Sequence, residues 1–319
     1  MIASGITDQQ PSFARRLWTA ARPYSYPAAI VPTVLSVAVA KLNFPNLKIN
    51  IINFALLLLG SIGAQAISNL VNDLVDFKTG VDTADAPGRK SALITGAITF
   101  REMLNSVIVI GLLSAVIGIY FTILVGWPIF IIVLISGILA IEYTAPPLKL
   151  KYHALGDVAV FVSFGIAMVF GTYLVITNQQ AGALEHSKLI PLALYNFPNI
   201  LLVLAILHAN NHRDREKDSQ LGGVTVANKL SFHMSKLVLE VLVIGPYVLT
   251  LIAIGLSHMS EAAILVLLSV PLAIKIIRPI LIDDYSRSVP MIAKLHGRFG
   301  FLMTVAILVQ IYALSHYHV

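Results

Sequence analysis

"IINFALLLLGSIGAQAISNLVNDLVDFKTGVD", residues 51–82, opens as an apolar run and closes on three aspartates. The run from 51 to 72 is about 20 residues long, which is what a helix needs to cross a hydrocarbon core of ~30 Å. Asn72, Asp73, Asp76 and Asp82 therefore stand at the edge of a membrane span. If the helix continues past residue 72, Asp73 and Asp76 lie three apart and share a face.

The rest of the chain has the same character. Of its 319 residues 57% are hydrophobic and only 12% charged, with a mean hydropathy of +0.83. A soluble domain carries about 25% charged residues to cover its surface, so this composition excludes one. Apolar runs of spanning length recur at approximately 24–42, 51–72, 103–124, 128–145, 155–177, 190–211, 236–256, 261–281 and 297–316. The expected fold is all-α, a polytopic membrane protein with nine transmembrane helices. Residues 1–20 are polar and basic and form an N-terminal segment with no cleavable signal peptide expected. With no cysteine there are no disulfides and no thiolate metal sites.

The net charge of +6 does not indicate nucleic acid, because the basic residues sit in the loops between apolar runs. All but Lys41, Lys48 and Lys188 of the 22 Lys and Arg residues fall in the N-terminal segment and the even-numbered connections. By the bias of Lys and Arg toward the inner face, these loops and the N-terminus are cytoplasmic (or matrix-equivalent) and the C-terminus lies opposite.

A second polar stretch, "NNHRDREKD" at 210–218, ends the sixth span on that same side. Asn211, Asp214 and Asp218 are spaced three and four apart, a single helical stripe. Asn72 and Asp76 recur as Asn210 and Asp214, and "GVDT" at 80–83 is echoed by "GGVT" at 222–225, a weak internal repeat. A lone acidic run at a membrane edge is most often a solvated loop. Two of them, both headed by Asn, on one side and at matching helix ends, favour a site. Facing acidic stripes repel unless a cation lies between them. Carboxylate and amide oxygens without Cys suit a hard ion, Mg²⁺ before zinc. Since Mg²⁺ takes only one or two protein carboxylates and completes its shell with water and phosphate, these residues read as half a site that a diphosphate completes.

"NDLVDFKTGVDT" (72–83) and "NNHRDREKDSQLGGVT" (210–225) resemble the two aspartate-rich motifs of the UbiA superfamily of intramembrane prenyltransferases. "ARPYSYPAAIVPTVL" (21–35) resembles that family's opening helix, and "YTAPPLKLKYHALGDVAVFVSFG" (143–165) its middle loop and fifth helix. The likeness runs from about residue 15 to 316 and makes residues 1–319 a single domain. It implies nine helices around a central cavity, with Mg²⁺ and a prenyl diphosphate bound by both motifs. Asp73, Asp76, Asp214 and Asp218 carry over as metal ligands, with Asn72 and Asn211 as neutral oxygen donors beside them. Many members have a last acidic residue where this chain has Gly80; Asp82, two residues later, is the substrate-side candidate in its place. "GVDT" and "LKYHALGD" look most like the menaquinone branch, which prenylates 1,4-dihydroxy-2-naphthoate or menadione.

Ionising an allylic diphosphate needs the leaving group's charge neutralised. Arg22, Arg89, Lys149 and Lys151 are the candidates to bind the diphosphate or an aromatic acid. A dry, electron-rich wall must shield the allylic cation. Tyr143 is the first candidate for that wall, with Tyr152, Phe161 and Phe164 behind it. The partners are thus a polyprenyl diphosphate, an aromatic acceptor and membrane lipid. A 4-hydroxybenzoate acceptor is the nearest alternative. A cation-coupled secondary transporter is the rival from another class, but its acids would lie near the bilayer midplane. Phosphatidyl-transfer enzymes also use membrane-edge aspartates, in a spacing that this chain lacks.

Overall fold

The computed structural model describes residues 11–80, 91–220 and 222–317. The order is α1 (Phe13–Ala20), α2 (Pro27–Asn43), α3 (Ile51–Lys78), α4 (Phe100–Val125), α5 (Trp127–Glu142), α6 (Gly156–Val160), α7 (Met168–Ile176), α8 (His186–Arg213), α9 (Arg215–Gln220), α10 (Val226–Lys229), α11 (Phe232–Gly255), α12 (Val270–Leu281) and α13 (Ser288–Tyr317). A π-helical stretch, Phe161–Ala167, joins α6 to α7 into one rod, and a 3₁₀ stretch, Glu261–Ser269, leads into α12. No strand occurs among the described residues. One isolated parallel bridge pairs His153 with Val224.

Among the described residues, eight helical segments are long and apolar enough to cross a membrane. The ninth expected span, α5, has only 16 residues and reaches ~24 Å at 1.5 Å per residue. It stops at Glu142, short of the expected 145, because the chain turns there into the 143–155 loop. α3 overshoots the expected edge at 72 and runs to Lys78, which keeps both of its aspartates helical.

The helix starts follow from side-chain caps. Asn50 accepts from the amides of Ile52 and Asn53, and Thr99 and Glu102 form a reciprocal capping box at α4. Between spans, small residues allow close approach, as expected where apolar burial gives no preference for protein over lipid. A Cβ on Gly63 would stand 2.5 Å from Ser114 Oγ, and one on Gly118 would stand 2.6 Å from a Val133 methyl. At Gly300 of α13 an added Cβ would collide with Val31 of α2. Polar pairs add specificity: Tyr120 donates to Asn53 at 2.8 Å and Tyr247 meets Ser269 at 2.6 Å, each worth about 0.6 kcal/mol in a membrane interior.

The largest buried cluster lies among α2, α7, α8, α11, α12 and α13 and includes Leu35, Tyr173, Leu202, Ile276 and Phe299. Smaller clusters bind α3 to α4 and α5. At one end of the bundle, Asn43 donates to the Lys188 carbonyl at 2.9 Å and Lys188 donates to the Asn43 carbonyl at 3.2 Å. This end holds the three basic residues that sequence set apart. Both aspartate motifs lie at the opposite end.

Candidate active site

A cavity of about 1370 Å³ opens at the aspartate end and runs along α3 from Asp76 to Leu56. Those 20 residues of helix correspond to ~30 Å, the full depth of a hydrocarbon core. Its inner stretch is apolar and made roomy by small residues such as Gly60, Ala64 and Gly111. Phe164, Ser163 and Ala167 of the π-helical stretch form part of the wall. Such a stretch, with one extra residue per turn, often marks a functional position within a helix.

The mouth is polar. The structure brings Arg22, Asn72, Asp73, Asp76, Tyr143, Lys151, Asn211, Asp214 and Asp218 to it. Arg213 and Lys217, which charge patterning assigned only to a loop, line it as well, as does Asn210, read in sequence only as the counterpart of Asn72. Their signal was present, since each falls within a turn of a motif aspartate. Asp82 and Arg89 lie outside the described residues.

In the first motif both carboxylates are buried and held from other elements. Asp73 pairs with Arg22, which follows α1 in a left-handed turn (φ 57°). Asp76 accepts from Tyr152 Oη at 2.7 Å on Oδ1, while Asn72 and Lys151 approach Oδ2, the latter at 3.5 Å. Lys149 (φ 45°) and Ala154 (φ 57°), on the loop that carries Lys151, also adopt the left-handed region. Backbone strain of this kind clusters at functional sites.

The second motif differs from the expected continuous stripe. α8 ends at Arg213, Asp214 is its C-cap (φ −95°), and α9 restarts at Arg215. The helical bond from the Asp218 amide to the Asp214 carbonyl survives at 2.9 Å, so the two acids still share one side. Arg213 forks onto Asp214 with two bonds of 2.7 Å and reaches Asn210 at 3.0 Å. Burial raises the Asp218 carboxyl above the usual range; Asp214 and Asp76 add to the rise and Lys151 opposes it.

Further expectations need revision. Lys149 does not line the cavity, because a 3₁₀ turn over Leu150–Tyr152 sends residues two apart to different sides. Tyr152 and Phe161 do not line it either; Phe161 packs into the main core. Tyr143 does, and burial with the charges of Asp157, Asp218 and Asp76 pushes its phenol upward, keeping it protonated. Glu142 also reaches the wall, its carboxylate accepting from the Leu148 amide at 3.0 Å. His208 turns away and bonds the Ser235 carbonyl at 2.9 Å.

The fold and cavity define an all-helical, multi-pass integral membrane protein with one oxygen-rich mouth above a deep apolar chamber. The family model described as "UbiA prenyltransferase family" matches residues 29–305, and the chain belongs to that family. It is a prenyltransferase. A 1,4-dihydroxy-2-naphthoate octaprenyltransferase of Bacillus subtilis (strain 168) is 24% identical over 309 residues, covering 95% of each chain. UbiA prenyltransferase domain-containing protein 1 of Danio rerio is 30% identical over 302 residues, covering 91% of this chain and 82% of its own. Among solved structures, a UbiA homolog from Aeropyrum pernix K1 superposes with a TM-score of 0.65 at 15% identity, covering 94% of this chain and 99% of its own. One from Archaeoglobus fulgidus, bound to GPP and Mg²⁺, gives 0.60 at 18% identity over 93% and 99%.

The residues present fit a hard cation. Every candidate donor is oxygen, and Asn211 Oδ1 is buried in the cavity wall without a hydrogen-bond partner among the described residues. A buried carbonyl oxygen is rarely left in that state, and a cation or a water ordered by one would satisfy it. Among the described residues no three acidic or imidazole side chains form a ready cage. Mg²⁺ does not require one, since it keeps waters and substrate oxygens.

Proposed function

We propose that this prenyltransferase moves a polyprenyl chain from its diphosphate to a bicyclic, naphthoquinone-type acceptor, with Mg²⁺ at the mouth of the cavity. The observation that carries the reading is the continuity of one chamber, with paired acids at its mouth and ~30 Å of apolar wall behind them. A diphosphate head and a long isoprenoid tail have that same polarity. Asp73, Asp76, Asp214 and Asp218 would hold Mg²⁺, with Asn72 and Asn211 as amide oxygens beside them. When bound, the metal supplies positive charge against the leaving diphosphate.

The chain's own groups do the rest. Arg22 and Lys151, already resting on Asp73 and Asp76, are placed to transfer their charge to the diphosphate as it binds. The allylic carbon–oxygen bond breaks with its electron pair on the diphosphate. The apolar wall, with Tyr143 and Phe164, keeps water from the cation until an electron-rich ring carbon attacks it. The new carbon–carbon bond forms and the ring carbon gives up its proton to the released diphosphate, a base already at the mouth. Support for the naphthoate class comes from the name of the Bacillus subtilis relative and from the "LKYHALGD" loop. The Lys and Arg bias supports a cytoplasmic (or matrix-equivalent) side for the aspartate end.

The test is an assay of purified protein with geranylgeranyl diphosphate, Mg²⁺ and a panel of 1,4-dihydroxy-2-naphthoate, menadione reduced beforehand to its hydroquinone, and 4-hydroxybenzoate. Product from a bicyclic acceptor, abolished by EDTA, is expected. Product from 4-hydroxybenzoate alone would overturn the acceptor class, and full turnover in EDTA would overturn the metal.

A further inference from the structure

Tyr152 belongs to neither aspartate motif and does not line the cavity, yet it touches both motifs. Its hydroxyl donates to Asp76 Oδ1 at 2.7 Å. On its other side the ring lies against Gly223, where an added Cβ would stand 2.9 Å from Tyr152 Cδ1 and 3.2 Å from the Asp218 carbonyl. The Gly223 amide donates to that same Asp218 carbonyl at 2.8 Å. The backbone closes the link: the Val224 amide donates to the Tyr152 carbonyl at 3.0 Å, and the Ala154 amide to the Val224 carbonyl at 2.6 Å. The path Asp76–Tyr152–Gly223–Asp218 thus joins α3 to α9 through two loops, independently of any ligand.

We propose that Tyr152 is a positioning residue that ties the two aspartate motifs into one unit, so that Mg²⁺ binding at one motif is felt at the other. The inference rests on the metal-dependent reading above. The bond to Tyr152 commits Asp76 Oδ1 and presents Oδ2, the oxygen that Asn72 and Lys151 approach, toward the mouth. The ring against Gly223 holds the second motif's loop at a set distance from that carboxylate. The tie fixes the spacing of two like-charged walls before any ligand neutralises them.

The experiment measures Mg²⁺-dependent binding of a non-reactive geranylgeranyl thiolodiphosphate to the full chain in nanodiscs by calorimetry, with no turnover involved. Tyr152→Phe keeps the ring and removes the hydroxyl, and with it the 2.7 Å bond to Asp76 and the longer contact from Lys151 Nζ at 3.4 Å. It should raise the half-saturating Mg²⁺ about tenfold, as expected for a hydrogen bond to a charged group. Gly223→Ala, at a position with no special backbone requirement, should push on the ring and raise it in the same direction. The double variant should bind within about twofold of Tyr152→Phe, because both changes cut one path. An unchanged Mg²⁺ titration in Tyr152→Phe would overturn the proposal and return Tyr152 to a packing role. Effects that multiply in the double variant would overturn the link through Gly223. A wild-type chain that binds the analogue equally well without Mg²⁺ would overturn the metal reading itself, and this proposal with it.

Discussion

The two aspartate motifs look alike in sequence but are built differently. The first lies within an unbroken 28-residue helix, and its Asp73 is fully buried. Its carboxylates are gripped from outside α3, by Arg22 on the segment before α2 and by Tyr152 and Lys151 on the 143–155 loop. The second straddles a helix break, and the Asp214 side chain keeps 30% of its exposure. Asp214 is held by Arg213 and, through it, Asn210, both from its own helix. One motif is a fixed wall; in the other Asp218 is buried and tied through Gly223, and Asp214 is the acid that keeps solvent access.

The largest effect should come from the fixed wall. Asp73→Ala or Asp76→Ala removes a candidate ligand and leaves a half-buried cation without its buried partner, so kcat/KM should fall ~10³-fold or more and thermal stability should drop. Asp214→Ala should fall by ~10²-fold with little change in melting temperature, because Arg213 regains water. If Asp214→Ala proved the more destabilised in thermal unfolding, the contrast between the motifs would be wrong. Next, Arg22→Met should cost about tenfold in kcat/KM and Arg213→Met less than threefold, as a partly exposed neighbouring pair contributes little; equal losses in steady-state kinetics would break the comparison at its cations. The smallest effect sharpens it from a distance. Gly111 lines the cavity with nothing within 4 Å of where a Cβ would stand. Gly111→Phe should change geranyl diphosphate kinetics by less than about twofold and leave the Mg²⁺ requirement intact, while lowering turnover of longer chains several-fold.

How far these features can be read in sequence depends on their range. Spans, the Asn50 and Thr99 caps and the aspartate spacing within α3 are local, and periodicity and capping chemistry express them directly. The break at Asp214 has no glycine or proline to announce it, so a spacing of three and four reads as one continuous stripe. The separation of Lys149 from Lys151 depends on a 3₁₀ turn that two lysines flanking a leucine do not signal. The role of Tyr152 was least legible. An aromatic near a membrane edge suggests a cavity wall, and nothing in periodicity shows that its hydroxyl meets Asp76 on another helix.

The contact of Gly300 with Val31 has a consequence for how the molecule is made. α2 and α13 are among the most distant partners in the sequence, and they close the ring of helices. Spans enter a bilayer in the order of synthesis, so α2 must wait in lipid while everything between is translated. Until α13 arrives, the flank of α2 that will carry the Val31 contact has only acyl chains against it, and the chamber has an unfinished side. A bulky residue at Gly300 should therefore be felt first as a failure of assembly, seen as rapid turnover of newly inserted chains, even though neither Gly300 nor Val31 lines the cavity.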